Sequence, residues 1–299
     1  MTEAEKTGLL FAAGGFVLLS IGDGIVKSMA GLWPFTAVAA LRYAMGAVGL
    51  AVLLWRREGR SGFAIRRPAI QIMRGFGVAV ATMGFFGGVY VLPLATATAI
   101  VFLSPLITAA LAIVMLGEPS RRATWVALLA GFVGVIVIVR PDPTAFDLRA
   151  LLPLGAACGM SMVMIGNRMS ARLASPLAMQ FSIAAIGAVF LGAATLAGHL
   201  SRLAPLMVAT PDWHVVLRCG VVAITATSAH WLVYLGTTRA GAATVAPTNY
   251  VQILVASLIG LFLFGDIPDI ATVAGAAIII GAGLYLWRSG RVQAPERSE

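Results

Sequence analysis

Polar side chains recur at helical spacing inside long apolar runs of this sequence. Ser20, Asp23 and Lys27 stand at i, i+3 and i+7 and share one helix face. Thr227, His230 and Tyr234 repeat that spacing, with Trp231 beside them. Thr244, Thr248 and Gln252 stand at i, i+4 and i+8, flanked by Asn249 and Tyr250, and form the most polar stripe of the chain. Thr82, Phe86 and Tyr90 make a similar face, and Ser161 sits among Met160, Met162 and Met164. In a lipid environment such groups face a cavity, a substrate or a partner helix. Asp23 is the clear acid within a span and Arg42 a basic one. They lie roughly 8 Å and 12 Å deep at about 1.5 Å of rise per residue. The two could pair and lock neighbouring helices, or each could contact a charged substrate group. Asp23 and His230 are the candidate proton carriers. Interhelical hydrogen bonding favours the same residue types, so every stripe also has a structural reading.

No enzyme signature accompanies these groups. There is no Gly-x-Ser-x-Gly, His-Glu-x-x-His, P-loop or Cys-x-x-Cys. Ser228 and His230, at i and i+2, point to different faces. Three histidines, two of them outside the membrane core, make no metal site. Cys158 and Cys219 lie in apolar runs and read as inert buried thiols. We expect no catalytic residue, metal or cofactor.

The elements that position these residues follow from composition. Of 299 residues 60% are hydrophobic and 11% charged, with mean hydropathy +0.94. A soluble chain carries about 25% charged residues. The chain is therefore expected to be all-α and polytopic in a membrane. Ten apolar stretches reach the roughly 20 residues that a spanning helix needs. They are Gly8–Ser28, Pro34–Trp55, Pro68–Leu92, Leu94–Leu116, Thr124–Val139, Leu151–Arg168, Pro176–Ala197, Trp213–Gly236, Ala242–Phe264 and Ile270–Trp287. The first reads as a retained helix. The net charge of +9 is placed as a topology signal and not as a nucleic-acid surface. Of 21 Lys and Arg residues, 14 fall on the side of both termini, 4 on the other side and 3 within or at the edges of spans. Both termini are expected to be cytoplasmic.

The chain also repeats itself. Residues 94–118 align with 242–266 at an offset of 148, and Leu116-Gly117-Glu118 falls on Phe264-Gly265-Asp266. Five spans per half is an odd number, so the halves, 1–142 and 143–299, have inverted topology, a construction of many secondary transporters. In this register Ser104 falls on Gln252, near the midplane where a substrate is expected. Pro247 could loosen the helix beneath Asn249.

With these residues in hand, the sequence resembles the EamA type of the drug/metabolite transporter superfamily. The resemblance rests on Arg42-Tyr43, Pro93-Leu94 to Thr98, Ser104-Pro105, and Leu116-Gly117-Glu118-Pro119 followed by Gly131 and Gly134. The second half echoes it with Gly265-Asp266, Gly275, Gly281 and Gly283. It departs in having Asp266 against Glu118, and one extra residue before Pro268. The resemblance implies export or exchange of small metabolites across an inner membrane, often amino acids, aromatic ones included. It also implies a cavity bounded by spans one, three, four, six, eight and nine. The expected partners are a small-molecule substrate, the bilayer and, where transport is proton-coupled, protons through Asp23 or His230; a monomer suffices, because a duplicated chain closes its own cavity. A lipid or lipid-linked sugar flippase on the same fold is the alternative, and an intramembrane enzyme a third.

Overall fold

The computed structural model describes residues 2–119, 122–140, 148–170 and 173–291. Twelve α-helices run through them: α1 (Glu3–Lys27), α2 (Phe35–Glu58), α3 (Pro68–Val91), α4 (Leu94–Val101), α5 (Ser104–Leu116), α6 (Arg122–Val139), α7 (Leu151–Met169), α8 (Pro176–Leu200), α9 (Trp213–Ala240), α10 (Ala242–Val245), α11 (Val251–Phe264) and α12 (Ile270–Arg291). No strand occurs among the described residues. All ten expected stretches are helical. By length and apolarity nine helical segments can cross a membrane, among the described residues. The tenth, α7, has 19 residues. Asn167, Arg168 and several glycines dilute its apolarity, and it is instead buried against α3.

Local chemistry sets the ends. Thr2 and Glu5 form a capping box at the start of α1. Ser175 caps α8 by accepting from the Ala178 amide at 3.1 Å. Gly117 and Gly265 close α5 and α11 in left-handed backbone, at φ 66° and 68°. The next amides fold back alike, Glu118 N to Ala112 O and Asp266 N to Gly260 O.

Two expected spans are not continuous. The fourth breaks at Phe102-Leu103, between α4 and α5. Pro105 offers no N–H, and its ring excludes the carbonyl of Val101, the last residue of α4. The ninth breaks into α10, a 3-10 turn at Ala246–Tyr250, and α11. Pro247 acts there as Pro105 does in the fourth. With the offset of 148, Phe102 corresponds to Tyr250. Their rings meet at 5.4 Å, so the two breaks touch.

Packing follows one scheme twice. α1 lies along α9, and α3 along α7; α2 packs on α8, and α6 on α12. Exchanging the first five spans for the last five maps each of these pairs onto another or onto itself. A Cβ added to Gly84 would lie 2.4 Å from the Leu152 carbonyl, and one added to Gly236 would lie 2.6 Å from that of Gly8. At such crossings only glycine permits the backbone approach. One buried cluster joins Val26, Val38, Phe86, Leu94 and Cys219. A second joins Ile100, Leu103, Leu106, Ile253 and Ile279. Cys219 is buried as expected, but Cys158 is exposed on α7 and corrects the reading of both thiols as buried. The boundary expected at 142/143 lies outside the described residues, as do Arg121, Arg172 and Arg297 of the topology signal.

Candidate functional site

The polar face of α1 meets the second half of the chain. Ser20, fully buried, donates to the Gln252 carbonyl at 3.1 Å. The Gln252 amide donates to Asp23 Oδ2 at 3.1 Å. Lys27, one turn further, donates to Asp266 Oδ2 and, at 3.0 Å, to the Leu92 carbonyl. The whole stripe therefore faces α11 and the turn after it. Gln252 sits in the first turn of α11, directly after the 3-10 break, so the break delivers its side chain to Asp23.

Asp23 and Arg42 do not pair with each other. Arg42 stands over the rings of Tyr43, at 4.6 Å, and Phe86, at 5.4 Å. An acid and a base thus stand inside consecutive spans, α1 and α2, without bonding each other. Thr82, behind them, donates to the Tyr43 hydroxyl at 3.1 Å.

A groove of about 720 Å³ opens between α2, α8 and α9. Leu50, Leu53, Leu177 and Trp231 give it apolar walls; Arg57, Glu58, Gln180, Thr227, Ser228 and His230 give it polar points. His230 and Tyr234 are exposed to it, and the rings of Trp231 and Tyr234 meet at 5.4 Å, tilted by 34°. His230 Nδ1 lies 2.7 Å from the Ala226 carbonyl. A carbonyl only accepts, so Nδ1 carries the hydrogen and Nε2 is left to accept. This arrangement can hold an amphipathic molecule with an apolar body.

The other expected site residues are placed differently. Ser161 is fully buried and donates to the carbonyls of Ser104, at 2.9 Å, and Ala157. That bond ties α7 to α5 as the Ser20 bond ties α1 to α11, on carbonyls related by the repeat. Tyr90 donates to the Trp33 carbonyl at 3.3 Å. Thr248 turns back to the Val245 carbonyl, and Asn249 is half-buried on the 3-10 turn.

Two groupings escaped the sequence reading. Arg74 is buried, donating to Asn167 Oδ1 at 2.7 Å, to Gln71 Oε1 and to the Met179 carbonyl at 3.3 Å. All of these acceptors are neutral. The visible signal was an arginine inside a span without an acid within one turn. The Lys27–Asp266 pair was also missed, although the span count puts both residues on one side.

Comparison with known proteins bears on these features. Residues 6–140 match the EamA-like transporter family. The chain is 25% identical over 294 residues to the S-adenosylmethionine uptake transporter of Rickettsia prowazekii, covering 96% of this chain and 95% of that one. It is 27% identical over 296 residues to the pseudopaline exporter of Pseudomonas aeruginosa, covering 95% and 97%. It is 27% identical over 257 residues to the riboflavin transporter of Vibrio cholerae, covering 83% and 80%. A solved chain titled "Crystal structure of protein" superposes with a TM-score of 0.63 at 21% identity, over 96% of this chain and 99% of that one, a likeness of fold.

Proposed function

We propose that this chain, a multi-pass small-molecule transporter whose residues 6–140 match the EamA-like transporter family, exports neutral amino acids with apolar or aromatic side chains. The observation that carries this reading is the relation of Asp23 to Arg42. Opposite charges inside a membrane are costly unless something pairs them. Here they stand in consecutive spans without bonding each other, and a zwitterion brings the complement of each. Its ammonium group would meet Asp23 beside Gln252, and its carboxylate would meet Arg42. The groove at His230, Trp231 and Tyr234 suits its apolar body. Asp23 or His230 would carry any coupled proton.

Alternating access would come from the two halves, 1–142 and 143–299, rocking about the touching breaks at Phe102 and Tyr250. The proposed setting is the inner membrane, with both termini cytoplasmic and one copy sufficient. Relatives include an uptake transporter and an exporter by name, so direction is part of the proposal. The groove also supports a second reading. Its wall at Leu53 and Trp231 is exposed, which would admit a lipid-like substrate sideways.

The test is flux of radiolabelled amino acids in proteoliposomes, with a pH gradient on and off. Flux confined to neutral apolar members supports the reading. No flux above empty vesicles for any amino acid overturns it.

A further inference from the structure

The repeat places two acids at related positions, Glu118 and Asp266, each just after the left-handed glycine that closes a broken span. Each meets a base from the end of the first helix in the opposite half. Lys27 ends α1 and pairs with Asp266; Arg168, in the last turn of α7, pairs with Glu118 at 2.9 Å. The pairs lie at opposite ends of the bundle. Asp266 accepts from the Leu94 amide at the start of the span Leu94–Leu116, and Glu118 follows its end. That span has 23 residues, roughly 34 Å at about 1.5 Å per residue.

The pairs are alike in origin and unlike in state. Lys27 and Asp266 are 12% and 20% exposed, whereas Arg168 and Glu118 are 52% and 49% exposed. Lys27 also holds the Leu92 carbonyl, so the Asp266 end ties α1, the α3–α4 turn and the turn after α11 together. The groove opens at the Glu118 end. Its lining residue Glu58 accepts from Ser175, in the segment that follows Arg168 and leads into α8. One end is latched and the other is loose.

We infer that Lys27–Asp266 and Arg168–Glu118 are the two gates of one transport cycle, closed in alternation. The structure holds the state in which the Asp266 end is shut. Rocking to the other state exposes Lys27–Asp266 and buries Arg168–Glu118 in its place. The inference rests on the transporter reading but not on the identity of the substrate.

The test needs no substrate. Full-length protein in phosphatidylglycerol-containing nanodiscs, with Cys158→Ser and Cys219→Ala, is spin-labelled through Leu32→Cys and Ile267→Cys. These exposed sites report the Asp266 end, and Met115→Cys with Ala174→Cys reports the Glu118 end. Asp266→Asn is expected to lengthen the first distance and shorten the second; Glu118→Gln is expected to leave the first distance short. Lys27→Gln reads the same gate from its other partner, and helicity confirms that each sample is folded. If the first distance lengthens while the second stays fixed, or neither changes in Asp266→Asn and Lys27→Gln, the inference is overturned. Failure here with amino-acid flux intact removes the gates and leaves the proposed substrate standing.

Discussion

The Gln252 amide donates to Asp23 Oδ2 while the Gln252 carbonyl accepts from Ser20, so one residue after a helix break ties α1 to α11 twice. The side-chain bond positions the carboxylate; the backbone bond positions the helix. Gln252→Leu removes the first and spares the second. An acceptor left unbonded costs about 1–3 kcal/mol. Flux is expected to fall about tenfold or more, a factor equal to roughly 1.4 kcal/mol, with folding retained by thermal melting. Ser20→Ala should keep most flux. Equal flux in Gln252→Leu and wild type would show that Asp23 needs no such positioning.

Gly155 and Gly159, one turn apart on α7, differ sharply in surroundings. A Cβ at Gly159 would lie 2.5 Å from the Ala81 amide and 2.6 Å from the Gly77 carbonyl; at Gly155 nothing stands within 4 Å. Gly159→Ala is expected to lose about 1–3 kcal/mol by overpacking. Gly155→Ala is expected to gain about 0.4–1 kcal/mol by restricting the unfolded chain. Detergent melting curves of the two variants should move in opposite directions.

Arg74 joins α3 to α7 and α8 through a planar fork with neutral acceptors. Lysine keeps the charge but not the fork. Arg74→Lys is expected to destabilise by roughly 1–3 kcal/mol through acceptors left without donors. A melting temperature equal to wild type would show that the charge alone suffices.

Asp269 begins α12 outside the span. Hydrogen bonds from Thr272, through its side chain and its amide at 2.7 Å, hold the carboxyl below the usual carboxylate range, with Arg140 at 2.8 Å adding to the effect. A depressed folded-state pKa gives stability that is present above the unfolded value and lost as pH falls through the folded one. Stability should therefore decline on the acid side of the ordinary carboxylate range, by a small amount because the group is exposed. Asp269→Asn should flatten that decline in melting temperature against pH.

The spans were legible because about 20 apolar residues in a row have one physical use. The repeat was legible because Gly117-Glu118 and Gly265-Asp266 keep their spacing. What the acids pair with was not, since Lys27 and Arg168 arrive from helices distant in sequence. The break at Phe102-Leu103 was hidden for another reason. Pro105 sits in a run whose hydropathy never falls, and hydropathy does not register a lost amide. Polar stripes showed which groups share a face but not what the face meets. Thus Ser20 and Ser161 tie helices together, whereas His230 is open to the groove.

In the proposed function a zwitterion occupies the space between Asp23 and Arg42. The deciding experiment is inhibition of radiolabelled phenylalanine flux in proteoliposomes by charge-stripped analogues. Unlabelled phenylalanine is expected to compete, while phenethylamine, which lacks the carboxylate, and 3-phenylpropionate, which lacks the ammonium group, are expected to compete at least tenfold more weakly, about 1.4 kcal/mol for each lost charge. Equal competition by all three, or no phenylalanine flux above empty vesicles, would contradict it.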